Sequence, residues 1–128
     1  MMIRRITTLA ATAALLAFAG PGHAATGLTE VTVGSAKVLA DAKGMTLYTF
    51  DKDKDGVSAC YDDCAKKWPA AAAPEGAKAE GEYGLTERKD KTYQWTYKKM
   101  PLYTYYDDKK SGDMTGDGVG GVWHVVHP

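Results

Sequence analysis

Met45-Thr46-Leu47-Tyr48-Thr49-Phe50-Asp51-Lys52-Asp53-Lys54 returns, after a fixed offset of 55, as Met100-Pro101-Leu102-Tyr103-Thr104-Tyr105-Tyr106-Asp107-Asp108-Lys109. Aligned without a gap, residues 45–68 and 100–123 are identical at Met45/Met100, Leu47/Leu102, Tyr48/Tyr103, Thr49/Thr104, Asp53/Asp108, Lys54/Lys109, Asp62/Asp117 and Trp68/Trp123. Average residue usage would give about one or two such matches by chance. The chain therefore carries an internal duplication. Two copies are too few for a solenoid, so they predict a pseudo-symmetric pair within one domain.

Each copy opens on β-branched and aromatic residues, Thr46 to Phe50 and Pro101 to Tyr105, which predicts a strand. Side chains alternate along a strand, so Tyr48 and Phe50 share one face, as do Tyr103 and Tyr105. Asp/Lys/Gly stretches follow at 51–56 and 107–118 and read as turns and loops. Val31–Val33, Lys37–Ala40, Leu85–Arg88, Tyr93–Tyr97 and Val122–Val126 add strand signals, with a hairpin turn at Lys89-Asp90-Lys91. The fold class is mainly β: six or seven short antiparallel strands from two pseudo-symmetric repeats. One short α-helix is predicted near 58–68. Ser58 is its cap, Asp62 and Asp63 lie early, Lys66 and Lys67 lie late, and Pro69 stops it. Residues 70–81 read as an exposed connection.

The N-terminus reads differently. Met1 to Arg5 is a basic start, Ile6 to Gly20 an apolar run, and Pro21-Gly22 a breaker before Gly22-His23-Ala24. This is the three-part pattern of a secretory signal peptide over 1–24. The run is shorter than the ~20 residues of a comfortable membrane span, and no Cys stands near the cleavage site to carry a lipid. The expected mature chain, 25–128, is one domain that is periplasmic or secreted, without a transmembrane segment. Removal of Arg4 and Arg5 leaves 14 basic against 16 acidic residues, a charge of −2. The whole chain has a formal charge of zero. It lacks the basic excess of a nucleic-acid binder, and its eight Tyr, three Trp and two Phe argue against disorder.

With these motifs the chain resembles the bacterial secreted-repeat proteins, a predicted-lipoprotein family defined by Tyr-x-aromatic-x-x-Asp. The motif residues are Tyr48, Phe50 and Asp53 in the first copy and Tyr103, Tyr105 and Asp108 in the second. Cys60…Cys64…Trp68-Pro69, Gln94-Trp95-x-Tyr97, Pro101-Leu102-Tyr103 and Gly116-Asp117-Gly118…Trp123 fit the same pattern. The resemblance covers nearly all of 25–128. It departs from many members in lacking a lipidated Cys, and it brings no established activity with it.

Several constellations carry chemistry. Cys60 and Cys64 are the only cysteines, and in an oxidising compartment two cysteines pair. On a helix they would share one face with Cα atoms about 6 Å apart, near the upper end of disulfide geometry. A redox couple or soft-metal pair is the alternative. Asp51-x-Asp53-x-Asp55-Gly56 with Asp62 has the spacing of a calcium loop. Against it, Asp62 is short for the usual bidentate Glu, and a strand stands where the entering helix belongs. A turn whose aspartates accept backbone N–H groups is the other reading. Tyr48, Phe50, Tyr103, Tyr105, Trp68, Trp95 and Trp123 fit a core, with hydroxyls tied off by partners such as Asp53 and Asp108, or an aromatic binding floor. His124 and His127 with Met45, Met100 and Met114 contain copper-type ligands. There is no Ser–His–Asp order, phosphate loop or nucleophile motif. The expectation is a non-catalytic exported module that binds a protein or small-molecule partner in the envelope, without a cofactor, through loops 51–57 and 106–121. Calcium or copper binding, or thiol redox chemistry, is the alternative.

Overall fold

Consecutive residues on the central segments divide between two hydrophobic cores, and this alternation organises the molecule. Leu39, Leu47, Leu102 and Val126 face one core, with Leu28, Ala71, Tyr83 and Trp95. Their chain neighbours Val38, Tyr48, Tyr103 and Val125 face the other, with Phe50, Cys60, Trp68 and Trp123. The period of two that separates the faces of a strand thus serves two cores from one set of segments.

A computed structural model describes residues 26–128; the expected signal peptide, 1–24, lies outside the described residues. The elements run β1 (Thr29–Val33), β2 (Ala36–Ala40), β3 (Tyr48–Phe50), α1 (Asp63–Lys67), β4 (Ala72–Ala73), β5 (Tyr83–Glu87), β6 (Tyr93–Tyr97), β7 (Met100–Pro101) and β8 (Trp123–Val125), with a 3₁₀ turn at Val119–Gly121 before β8. The fold is mainly β and antiparallel throughout. β1 pairs with β2, β3 with β8, and β4-β6-β5 form a sheet whose β6 also carries β7. In register, Tyr48 opposes Val125 and Phe50 opposes Trp123.

The turns show why the strands stop where they do. β1 and β2 meet across Gly34-Ser35, with Gly34 at φ 62, a backbone region that a glycine enters freely. Between β5 and β6, Lys91 adopts φ 71 and donates its N–H to Arg88 O at 2.9 Å, while Asp90 Oδ1 accepts the Thr92 N–H. β6 and β7 are joined by Lys98 and Lys99, at φ 48 and 68. Positive φ at both central residues is the geometry that matches strand twist in a two-residue hairpin.

Four features differ from the sequence reading. Among the described residues there are eight strands, because β4 stands within 70–81, where an exposed connection is expected: it pairs with β6, and Ala71 beside it is buried. The second motif does not run as one strand: β7 ends at Pro101, and Tyr103 forms isolated bridges to Tyr48 and Ala70. The first motif's strand begins at Tyr48, with Thr46 bridging Ala40. The helix spans only 63–67. Ser58 does not cap it: its hydroxyl is drawn into the core, 2.6 Å from Tyr103 Oη. Asp62 stands before the helix at φ 57 without a side-chain capping bond, so helical backbone begins only after it.

Candidate functional site

The two copies meet back to back at Tyr48 and Tyr103. Each donates its backbone N–H to the other's carbonyl, at 2.8 and 3.0 Å. From this contact each side chain reaches the carboxylate of the opposite copy. Tyr48 Oη donates to Asp108 Oδ2 and Tyr103 Oη to Asp53 Oδ2, both at 2.6 Å. Both tyrosines are fully buried, and the aspartates are only 4 and 6% exposed.

The local sequence aims these carboxylates inward in the same way twice. The N–H of each Asp closes a turn on the second aromatic of its motif: Asp53 on Phe50 O at 3.0 Å, Asp108 on Tyr105 O at 3.1 Å. The other carboxylate oxygen then ties down the following loop. Asp53 Oδ1 accepts the Ala59 N–H, and Asp108 Oδ1 accepts the N–H and hydroxyl of Thr115. Every partner is a hydrogen-bond donor to an anion, the stronger class of such bonds. Burial pushes the Asp53 carboxyl up, opposed by the Tyr103 hydroxyl, the Ala59 N–H and the Arg88 charge. Burial, then the bond to a carboxylate, pushes both tyrosine phenols well above their ordinary value, so both stay protonated donors.

Around this crossed pair the aromatic rings repeat the symmetry. Trp68 and Trp123 stack on each other, centroids 3.8 Å apart and planes 1° from parallel. Phe50 stacks on the far side of Trp123 at 4.1 Å, and Tyr105 on the far side of Trp68 at 4.1 Å. Tyr48 meets Trp68 edge-on at 5.2 Å, and Tyr103 meets Trp123 edge-on at 5.1 Å. Trp95 lies apart, in the other core.

The copies differ in what backs the crossed pair. Behind Tyr48, the Gly116 N–H donates to its hydroxyl at 3.3 Å. Behind Tyr103 stands a polar network that the sequence did not signal. Ser58 Oγ donates to Tyr103 Oη and accepts from Arg88 Nη1 at 3.1 Å. Arg88 Nη1 also donates to Gln94 Oε1 at 2.7 Å and Nη2 to Cys60 O at 2.9 Å. Gln94, fully buried, donates onward to Leu102 O. An arginine only 8% exposed needs such saturation; its plane also lies over the Tyr61 ring at 4.4 Å.

Cys60 and Cys64 form a disulfide with Cα atoms 5.2 Å apart. It does not bridge one helix face: Cys60 precedes the helix, buried beside the aromatic rings, and Cys64 lies in its first turn. Among the described residues no three His, Cys, Asp or Glu side chains are grouped to hold a metal ion. Asp53 turns inward to Tyr103, whereas Asp51, Asp55 and Asp62 stay exposed, Asp51 meeting His124 Nε2 at 2.8 Å. The two histidines of the copper-type set also diverge, His127 Nδ1 lying 3.0 Å from Lys37 O.

Among the described residues, three of the four exposed large apolar side chains stand on the loops beside the crossed pair: Val57 at 63%, Tyr106 at 51% and Val119 at 37%. Among the described residues no helix is long and apolar enough to cross a membrane. The profile of a family described as a secreted repeat of unknown function matches the chain twice, over residues 31–72 and 84–127, so each match contains one Tyr-x-aromatic-x-x-Asp motif. No match was found among curated proteins or among solved structures.

Proposed function

From the premise that the chain belongs to this family of secreted repeats, we propose that it is an exported, non-catalytic interaction module of the cell envelope, which meets its partner through loops 51–57 and 106–121. The observation that carries this reading is the placement of Val57, Tyr106 and Val119, apolar side chains left in solvent on the two loops that the motif aspartates anchor. Loops held on a rigid scaffold are where binding residues concentrate, and exposed apolar side chains gain most from being covered. The motif's phenols and carboxylates support a scaffold role, because they are engaged with one another and not presented to a substrate.

The test uses the exported protein in cells, with a photo-crosslinking amino acid placed at Val57, Tyr106 or Val119 and, as control, at the exposed Lys78. A discrete crosslinked envelope species from the loop positions and not from Lys78 supports the reading. Equal, diffuse labelling from all four positions overturns it.

A further inference from the structure

A cavity of about 410 Å³ opens where Glu30 of β1, the turn before β5 and Tyr97 of β6 come together, a volume within the range of small-molecule sites. Its walls hold three carboxylates, Glu30, Glu80 and Glu82, and two phenol rings, Tyr83 and Tyr97; among the described residues no lysine or arginine lines it. The local sequence builds this arrangement. Glu80 and Tyr83 each donate a backbone N–H to the other's carbonyl, both at 2.9 Å. Gly81, at φ 59, stands at the first of the two central positions of that turn, where such a hairpin calls for glycine. Residues paired in this way present their side chains to one face. Across β5 and β6, Tyr83 opposes Tyr97, with ring centroids 5.2 Å apart. Burial, then Tyr97, Glu30 and Glu82, push the Tyr83 phenol up to about 12, so the negative field of the glutamates reaches the rings. Glu80 Oε2 is buried with no hydrogen-bond donor among the described residues. An interior carboxylate oxygen without a donor is costly, so a donor brought by a ligand has most to gain there.

We propose that this cavity binds an aliphatic polyamine, with ammonium groups at Glu80, Glu30 and Glu82 and the methylene chain along the two tyrosine rings. Carboxylates without a neighbouring cation attract ammonium groups, and aromatic faces hold alkylammonium groups. The chain already contains an example of the second contact: Lys98 Nζ lies 5.3 Å from the centroid of the Tyr97 ring. The three carboxylates do not gather as the ligands of one metal ion do. Negative charges spread around a cavity suit a cation whose own charges are spread along a chain. The two rings supply the apolar surface that the methylenes between those charges need. None of these residues belongs to loops 51–57 or 106–121, so the site stands independently of the partner surface proposed above.

Isothermal titration calorimetry of the exported protein with spermidine, n-butylamine and magnesium tests this. Spermidine is expected to bind one-to-one and saturably, about tenfold or more tighter than n-butylamine or magnesium, because its ammonium groups engage together. Glu80→Gln with Glu82→Gln weakens spermidine roughly tenfold, the product of about threefold for each of two partly exposed ion pairs. Should that variant fail to fold, Glu30→Gln with Glu82→Gln, which alters only exposed residues, gives the same loss. Glu75→Gln with Glu87→Gln removes equal charge from exposed glutamates outside the cavity and leaves the affinity within about twofold, since distant surface charges are screened. Equal weakening in that control pair, spermidine binding no tighter than magnesium, or no saturable binding of spermidine overturns the proposal.

Discussion

Breaking the crossed pair should reveal which tyrosine belongs to which aspartate. Tyr48→Phe removes one hydroxyl, whose bond to Asp108 Oδ2 is 2.6 Å long and fully buried. A hydrogen bond to a charged group contributes about 1.5–3 kcal/mol, and an oxygen left unsatisfied in the interior costs towards the upper end. Asp108 keeps its Thr115 partners on Oδ1, while the Gly116 N–H loses a long 3.3 Å bond. We therefore expect a loss of about 2–3 kcal/mol for Tyr48→Phe. The decisive quantity is the coupling in a double-mutant cycle. Tyr48→Phe with Asp108→Asn, residues from different copies, should couple by about 1–2 kcal/mol. Tyr48→Phe with Asp53→Asn, residues of one motif, share no hydrogen bond and should add within about 0.5 kcal/mol. Urea unfolding followed by the fluorescence of the stacked tryptophans resolves this, since 2 kcal/mol moves the midpoint by about 1 M for a domain of this size. A coupling within the motif equal to that across the copies would refute the crossed arrangement.

Alkali should destabilise the fold. The folded Tyr48 and Tyr103 phenols lie above their ordinary value of 10.0, so their contribution is complete below that pH and is lost as pH rises, at about 1.4 kcal/mol per pH unit for each group. Tyr83, pushed up to about 12 by burial, adds to the same slope until that pH; urea midpoints measured from about pH 9 upward test the sign and steepness. Lys98→Asn with Lys99→Gly should stabilise by about 1 kcal/mol or more, because both lysines now hold a left-handed conformation; a lower midpoint would show that the turn is not the two-residue hairpin seen here. Gly116→Ala should cost about 1–3 kcal/mol, since its methyl would come within 2.6 Å of Trp68 Cη2 and 2.8 Å of Tyr105 Cγ, and thermal melting reads the loss. Cys60→Ser should cost about 2 kcal/mol for the opened short loop and leave the far-UV spectrum recognisable, a result contradicted by outright unfolding.

Local signals foretold local structure. The alternation in Met45–Phe50, the turn chemistry of Lys89-Asp90-Lys91 and the duplicated aromatics predicted the β class, the hairpin and the buried rings. What escaped was set by distant partners. Ser58 has every sequence mark of a helix cap, yet Tyr103 and Arg88, 45 and 30 residues away, claim its hydroxyl. Lys98-Lys99 bears no turn residue; the pairing of Tyr97 with Met100 imposes its positive φ. Arg88 reads as a surface residue until its three acceptors are assembled around it. The crossed pairing did leave a trace, because a duplication that folds about a pseudo-two-fold axis tends to contact itself reciprocally, residue i of one copy to residue j of the other. Asp53, which the aspartate spacing groups with its neighbours in the loop, is likewise engaged by a tyrosine 50 residues away.

Reciprocity also governs when the chain can fold. Tyr48 waits for an acceptor 60 residues downstream, and β3 has no ladder until β8, at Trp123–Val125, has arrived. Contacts of such sequence separation form late, after the loop-closure entropy between them has been overcome. A chain threaded from its N-terminus through an export channel therefore cannot close its first repeat on the way: the crossed tyrosines keep it slack until the C-terminal residues emerge, and then both copies lock together.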